Sequence, residues 1–447
     1  MNVRAWSVVL AAAATVGGGA WWKTRRLAAT EREASAEAAR ATSAERAIRV
    51  ADVGFYEERA ASDPESAGDR MQLAALYLQR ARETNDYQYY LRAETVARAS
   101  LALRTQRNSA AYAVLASALL AQHRFADARD AARELVAREP EEDAYRALLG
   151  ETCLELGDYA AARAAFDAIG SASRTSLDVA PRLARWAEIR GDTAGARVIL
   201  RRTAAAPDTR ELPREQAAWF QLRVADLEMR QGRAGRAERA LRDGLAVHPG
   251  DARLLGAMAH LAAVRHQWHD AIQYGDSAIA VALDPAALGV VSDAYAALGD
   301  TAKAAEYMAT MEVAVGQQPG AYHRAWSLFL LDHGRDARGV LARSGRELRV
   351  RRDVYGWDVQ AWALHALGRD SAAWAAAGRA LAQGTEDATL EYHAGVIAQA
   401  LGRADATAHL ARALTINPSF HPTQAADARR RLRSTEPTVA AVVVTEP

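Results

Sequence analysis

Apolar side chains return at fixed positions between short helix-breaking turns such as Gly157-Asp158-Tyr159 and Gly299-Asp300. Alignment of the chain on these turns gives successive units of closely similar length, except for one longer unit that contains an insertion. A regular repeat, with a turn near the middle of each unit, predicts pairs of helices that stack on one another. The units begin near residues 109, 143, 177, 218, 252, 285, 320, 354 and 388.

Three positions of the repeat hold small residues. Position fifteen is glycine in seven of the nine units, and His123 and His266 are the exceptions. A residue that follows a helix often adopts the left-handed conformation, in which glycine has no steric penalty. Positions eight and twenty hold mostly alanine, glycine or serine, so the two helices of a unit can pack closely. Larger apolar residues at positions seven, eleven and twenty-four fill the remaining space.

These columns resemble the tetratricopeptide repeat, a helix–turn–helix of about 34 residues. Two units match it best: residues 109–142, with Leu115, Phe125, Ala128 and Pro140, and residues 143–176, with Leu149, Gly150, Gly157, Tyr159, Ala162 and Phe166. The resemblance implies an all-α protein, a right-handed superhelical α-solenoid of about nine to eleven such repeats. It covers residues 109–421, with irregular repeats at 51–108, a capping helix at 422–433 and a disordered tail at 434–447. The insertion at residues 203–216, with two prolines, predicts an irregular joint.

The N-terminus has the features of a targeting segment. Residues 5–22 have no charge and are followed at once by Lys23, Arg25 and Arg26. The small residues at 18–20 favour a cleaved signal peptide, whereas Trp21 and Trp22 favour a retained membrane anchor. A helix buried in the fold is a third alternative. We therefore expect a signal or anchor at residues 1–26, a charged helical spacer at 27–50, and a body that is anchored to the inner membrane or exported, in a bacterial cell envelope.

Composition excludes several classes of function. Lys and Arg total 56 against 55 for Asp and Glu, so the net charge of +1 gives no global reason to bind nucleic acid. The single cysteine, Cys153, excludes an intramolecular disulfide and lies at a core-facing position of its unit. No phosphate-binding glycine loop, nucleophile elbow or zinc-protease motif is present. We expect no enzyme activity, no catalytic residue and no cofactor.

The histidines suggest two further functions, a metal site and a catalytic base, and the sequence favours neither. His260, His266 and His269 with Asp270 form the one tempting metal cluster, but helical geometry does not converge them on one ion, so no metal site is expected. A hydrolase or transferase with His365 as general base lacks a nucleophile or acid at a matching spacing.

Solenoids of this family bind partners along the concave face, which the first helix of each pair lines. Tyr355, Asp358, Trp362 and His365 are spaced by three, four and three residues and share one helical face. The predicted groove comprises Arg324, Leu328, Asp332, Tyr355, Asp358, Trp362, His365, Thr389 and Tyr392. A second candidate groove comprises Trp219, Asp226, Arg230 and His260.

An aromatic-lined groove with a few charges predicts a non-catalytic scaffold or adaptor that binds a segment of a partner protein. Two alternatives stay open. The aromatic residues on this face complete the packing between neighbouring helices, or the solenoid is a self-associating spacer whose groove is filled by its own tail or by another copy.

Overall fold

The computed structural model describes the backbone of residues 3–316 and 324–435 and the side chains of residues 33–316 and 324–434. Within these ranges the secondary structure is helical, with no strand. The predicted all-α repeat solenoid is therefore confirmed. The handedness of the superhelix and the domain boundaries stay predictions.

The helices follow one another with short connections. Two 3-10 segments, Ser173–Thr175 and Pro207–Glu211, lie in longer connections, the second of them inside the insertion at 203–216. The α-helices in chain order are α1 (Val3–Ser62), α2 (Ala67–Thr84), α3 (Tyr87–Leu103), α4 (Ser109–Ala121), α5 (Phe125–Arg138), α6 (Asp143–Leu156), α7 (Tyr159–Asp167), α8 (Ala180–Ile189), α9 (Thr193–Ala204), α10 (Arg214–Arg230), α11 (Ala234–Val247), α12 (Ala252–Val264), α13 (Trp268–Ile279), α14 (Pro285–Ala297), α15 (Thr301–Gly316), α16 (Arg324–Asp332), α17 (Ala337–Glu347), α18 (Val354–Ala366), α19 (Asp370–Leu381), α20 (Ala388–Ala400), α21 (Ala406–Ile416) and α22 (Gln424–Thr435).

The predicted signal or anchor at residues 1–26 lies outside the residues whose side chains are described, and residues 436–447 of the predicted tail lie outside the described backbone. Among the parts of the chain that the structure describes, no helix has the length and apolar character needed to cross a bilayer.

Six of the helices, α4, α6, α12, α14, α18 and α20, begin at the residue where the alignment starts a unit. Small residues let the two helices of a unit approach closely. A Cβ on Gly150 of α6 would lie 2.7 Å from the Phe166 ring of α7, which is fully buried. Cys153 is 2% exposed and burial raises the pKa of its thiol, as expected for a core residue.

First helices of neighbouring units, such as α12 with α14 and α18 with α20, pack against one another, whereas second helices mainly contact first helices. The first helices therefore line the concave face.

The solenoid contacts itself after about six units. We use the word rung for a contact in which the turn inside one unit meets a loop that precedes a much later unit. Among the described residues, three rungs follow in order. The backbone N–H of Arg352 donates to the Leu156 carbonyl (2.9 Å), the Thr385 hydroxyl donates to the Ile189 carbonyl (2.5 Å), and the Asn417 amide donates to the Met229 carbonyl (2.8 Å). These contacts close one turn of the superhelix.

The glycine of each docked turn lies at its rung. A Cβ on Gly157 would overlap the carbonyl group of Arg352, and one on Gly232 would lie 2.9 Å from the Asn417 side chain. Ion pairs add to the contact, since the Arg351 guanidinium lies 2.8 Å from the Glu155 carboxylate. At these turns glycine therefore provides both a backbone conformation and a close approach.

Candidate functional site

The two groups of residues that the sequence predicts as separate grooves lie in one interior space. The first group is carried by α16, α18 and α20, and the second by α10 and α12. The guanidinium of Arg230 from the second group donates to the hydroxyl of Tyr355 from the first group at 2.6 Å. The concave faces of two successive halves of the solenoid thus meet across the interior.

Tyr355 lies at the centre of this contact and is 5% exposed. Three guanidinium groups surround its ring. The distances to the ring centroid are 4.5 Å for Arg324, 5.3 Å for Arg185 and 5.7 Å for Arg230. Cations over an aromatic face are attracted by the negative charge of the ring face. Tyr355 therefore joins the two halves and offers little surface to a partner.

The carboxylate of Glu188, on α8, offsets part of the positive charge of these arginines. Its carboxylate lies 2.9 Å from Arg230, 3.1 Å from Arg185 and 3.3 Å from Arg223. Burial disfavours the charged carboxylate, but the three guanidiniums outweigh burial and lower the pKa of Glu188 to about 2. Sequence reasoning missed Arg185 and Glu188. They occupy positions nine and twelve of their unit. The concave stripe comprises positions two, five, nine, twelve and thirteen of the units, so a search for charges on that stripe finds them.

A second buried pair lies beside Tyr355. The Asp358 carboxylate accepts from His393 at 2.7 Å and lies 3.3 Å from Arg324. Burial raises the pKa of Asp358, but His393 and Arg324 outweigh it and hold that pKa below its usual value. Asp358 and His393 are 2% and 1% exposed, so both belong to the interior. Position six of the unit, which His393 occupies, is outside the concave stripe, and no sequence signal pointed to it.

Trp362 is held from two sides and remains partly exposed. Its ring stacks on His393 with the centroids 4.1 Å apart and the planes 14° apart. Its indole N–H donates to Asp332 at 2.9 Å. The same carboxylate accepts from the Gln424 amide at 3.0 Å, and burial raises its pKa. The C-terminal helix α22 is therefore tied to the predicted groove through Asp332.

The other predicted residues lie around this centre. The ring of His365 lies 5.1 Å from Trp362, and its Nδ1 lies 2.6 Å from the Asp370 carboxylate. The groups that contact His365 are thus an indole and a carboxylate. The Tyr392 hydroxyl donates to Asp427 of α22, and Leu328 packs against the same hydrophobic cluster as Trp362. The backbone N–H of Thr389 donates to Asp387 at the start of α20.

In the second group, Asp226 lies 3.0 Å from Arg223, and burial raises the pKa of this carboxyl. Burial lowers the pKa of His260, so the neutral imidazole is favoured. The ring of Trp219 contacts Phe220 edge to face at 5.1 Å. Within the described ranges, no three His, Cys, Asp or Glu side chains are placed to hold a metal ion, including those near His266, His269 and Asp270.

Comparison with known proteins gives a family for one segment. Residues 119–185 match the family model described as tetratricopeptide repeat. No curated protein sequence matches the chain.

Among solved structures, the chain is similar to the APC/C hetero-tetramer Cut9–Hcn1, with 14% identity, coverage of 88% of this chain and 95% of that chain, and a TM-score of 0.33. It is also similar to PilW, described as a widely conserved type IV pilus biogenesis factor, with 17% identity, coverage of 58% and 99%, and a TM-score of 0.31. The human IFIT1 dimer with PPP-AAAA shares 13% identity over 78% of this chain and 72% of that chain, with a TM-score of 0.35. The family match, within a chain that is a helical repeat solenoid, supports a tetratricopeptide repeat protein.

Proposed function

We propose that this chain is a non-catalytic scaffold that binds an extended segment of a partner protein around Trp362, in the envelope of a bacterial cell. The observation that carries the proposal is that the Trp362 side chain is held in place and is still partly exposed. His393 fixes one face of the ring and Asp332 fixes the indole N–H, yet the side chain keeps exposed surface. A large ring that is already immobilised contributes contact area at a low entropic cost on binding.

The residues around Trp362 divide by exposure. Tyr355, Asp358 and Tyr392 are buried and paired with other groups of the protein, so they support the surface from below. His365 is partly buried and stacks on Trp362, and Leu328 is partly buried and packs against the same hydrophobic cluster as Trp362, so they are the groups that a partner segment contacts beside the indole. Arg324 and Thr389 are also partly buried, and the Arg324 guanidinium lies over the Tyr355 ring. A segment that enters this face meets aromatic and aliphatic surface first.

Photo-crosslinking in the native cell tests the binding surface. A photoreactive residue at position 328 is expected to capture a partner segment. The matched control is position 374, where Trp374 lies on the second helix α19 with Arg403 over its ring at 4.4 Å. The captured segment is then synthesised, and Trp362→Ala should weaken its binding at least about tenfold while Trp374→Ala leaves it unchanged. Equal binding of that peptide to the parent and to Trp362→Ala would refute the proposal.

The envelope location depends on residues 5–22, which are uncharged. The mass of the mature protein distinguishes the two forms of this proposal, since a cleaved signal removes about the first twenty residues and an anchor leaves them in place. Recovery of the intact chain in the cytosolic fraction, free of membrane, would contradict both forms.

A further inference from the structure

The rungs occupy only some of the turns that the solenoid offers. The turns at Gly157, Gly191 and Gly232 each meet a loop of a later unit. The turns at Gly299, Gly334, Gly368 and Gly402 have the same left-handed backbone, with φ between 65° and 88°, but nothing lies within 4 Å of a Cβ built there. A loop six units further along would follow residue 435, outside the described residues. Among the described residues, no loop meets these four turns, which we call open turns.

At the N-terminal end of the solenoid, the loops that precede the early units meet no turn of an earlier unit among the described residues. The loops at residues 104–108, 139–142 and 170–178 precede early units, and a turn six units earlier would lie before the first helix pair, α2 and α3. The charged residues of these loops are exposed. One end of the molecule thus presents open turns, and the other end presents open loops.

The first and last helices of the described chain each lack a partner of the kind that completes a helix pair. Helix α22 begins one repeat length after the last full unit and occupies the place of a first helix, but no second helix follows it in the described chain. The last part of α1 packs on α2 as a second helix does, without a first helix of its own. A first helix without a second at one end and a second helix without a first at the other form one complete pair when two copies meet.

The exposed faces of these two helices suit each other. Phe55 and Ile48 of α1 lie on one helical face, seven positions apart, and 54% and 61% of their surface is exposed. Arg59 already lies over the Phe55 ring at 5.7 Å. Helix α22 presents exposed Arg429 and Arg430. Arginine packs favourably on aromatic faces, so α22 provides a matching surface for α1.

When the offset of six units continues across two copies, each of three open turns has at least one charge opposite in sign to a charge of the loop that it meets. In that register the Gly299 turn meets loop 104–108, the Gly334 turn meets loop 139–142, and the Gly368 turn meets loop 170–178. The charges of opposite sign that would face each other are Asp300 with Arg104 and Arg107, Arg335 with Glu141 and Glu142, and Arg369 with Asp178. The second and third turns also carry Asp336 and Asp370, and loop 170–178 also carries Arg174. The intrachain rungs use similar polar pairs, such as Arg351 with Glu155.

We propose that a second copy of this chain docks head to tail on the first and continues the superhelix, with α22 of one copy against α1 of the next and open turns against open loops. Such an interface joins two different surfaces, so assembly is open-ended. It uses the edges of the solenoid and is independent of the Trp362 surface.

Sedimentation velocity on the full chain in a mild non-ionic detergent, over about a hundredfold range of concentration, tests the proposal. We expect species that grow beyond a dimer as concentration rises and that shrink at high salt. Arg335→Glu should weaken association about tenfold, and the swap Arg335→Glu with Glu141→Arg should restore it. The matched control is Arg163→Glu, which makes the same charge change on the exposed surface of α7 and should have no effect.

Three results would overturn the proposal. The first is a single monomeric species at every concentration in low salt. The second is a dimer that grows no further. The third is association that Arg335→Glu leaves unchanged, as expected if residues 5–22 alone hold the copies together. Circular dichroism of each variant shows whether it is folded, and a second disruptive variant, Phe55→Asp, probes the contact between α1 and α22 separately.

Discussion

Gly191 and Gly384 lie almost half the chain apart in sequence and touch through their backbones. A Cβ on Gly191 would overlap the carbonyl oxygen of Gly384. Beside them the Thr193 hydroxyl donates to Glu386 at 2.6 Å. The turn of one unit and the loop before a much later unit thus approach as closely as two backbones can, which is why no side chain fits between them.

Alanine at Gly191 should destabilise the protein more than alanine at Gly299. Both glycines have positive φ, 77° and 88°, so both substitutions cost about 1 kcal/mol for the left-handed backbone. Only Gly191→Ala also forces two backbones apart, and we expect about 1–3 kcal/mol more for it. Urea denaturation of the two variants measures the difference.

Gly299→Ala is itself the control, because within one copy open space surrounds that position. Both variants are measured at low protein concentration and high salt, where the proposed contact between copies at the Gly299 turn is dissociated. Equal losses of stability in the two variants would show that the contact between Gly191 and Gly384 does not form in solution.

Glu188→Gln should cost about 3–5 kcal/mol of unfolding free energy, since it leaves Arg185, Arg223 and Arg230 without their shared carboxylate. The matched control is Glu151→Gln, which removes a carboxylate paired with Arg182 at 2.7 Å on a partly exposed surface and should cost about 1 kcal/mol or less. Thermal and urea melts of the two variants at neutral pH measure the costs, and a loss at Glu188 no larger than at Glu151 would contradict the interior network.

The Glu188 carboxylate should also make the stability of the protein fall at acid pH. The folded pKa of Glu188, about 2, lies below its value in the unfolded chain, about 4.3, so its stabilisation is complete above pH 4.3. It is lost as the pH falls from there through 2, by about 3 kcal/mol. Stability measured between these pH values should fall more steeply in the parent than in Glu188→Gln, and parallel curves would contradict the assignment.

The sequence predicts the helix pairs and their turns because both follow from local requirements. Position fifteen needs a residue that tolerates positive φ, and positions eight and twenty need small residues so that the two helices of a unit can pack closely. The sequence does not predict the rungs, and the reason is physical. Gly191 and Gly299 look alike in sequence since both satisfy the same backbone requirement, and only the approach of a loop from a much later unit distinguishes them.

The candidate site is predictable in part. Helical spacing places Tyr355, Trp362 and His365 on one face, but it carries no information on what covers that face. Arg230 reaches Tyr355 because the solenoid returns on itself, and this return depends on the sum of many small rotations between units. The sequence therefore predicts two grooves where the structure has one interior.

Ala237→Leu tests the packing of helix pairs. Ala237 is fully buried at position twenty of its unit, and the added carbons have no space between α10 and α11, so we expect a loss of about 1–3 kcal/mol. Ala304 occupies the same repeat position in a later unit but is only partly buried. Ala304→Leu should therefore cost less, and equal melting temperatures for the two variants would mean that the alignment of units is wrong.

His409 should make the stability of the protein fall as the pH rises above about 6.5. Its Nδ1 lies 2.6 Å from the Glu391 carboxylate, which is 6% exposed, and this hydrogen bond raises the pKa of His409 above its ordinary value of about 6.5. A raised pKa in the folded state means that the contribution is complete below about pH 6.5 and is lost as the pH rises through the folded value. The melting temperature of the parent should therefore exceed that of His409→Asn at pH 6 by more than at pH 8.

The same substitution at exposed His269 of α13 shows the effect of losing an imidazole that has no such carboxylate contact among the described side chains. A difference between parent and His409→Asn that stays constant across this range would show that the pair with Glu391 does not form.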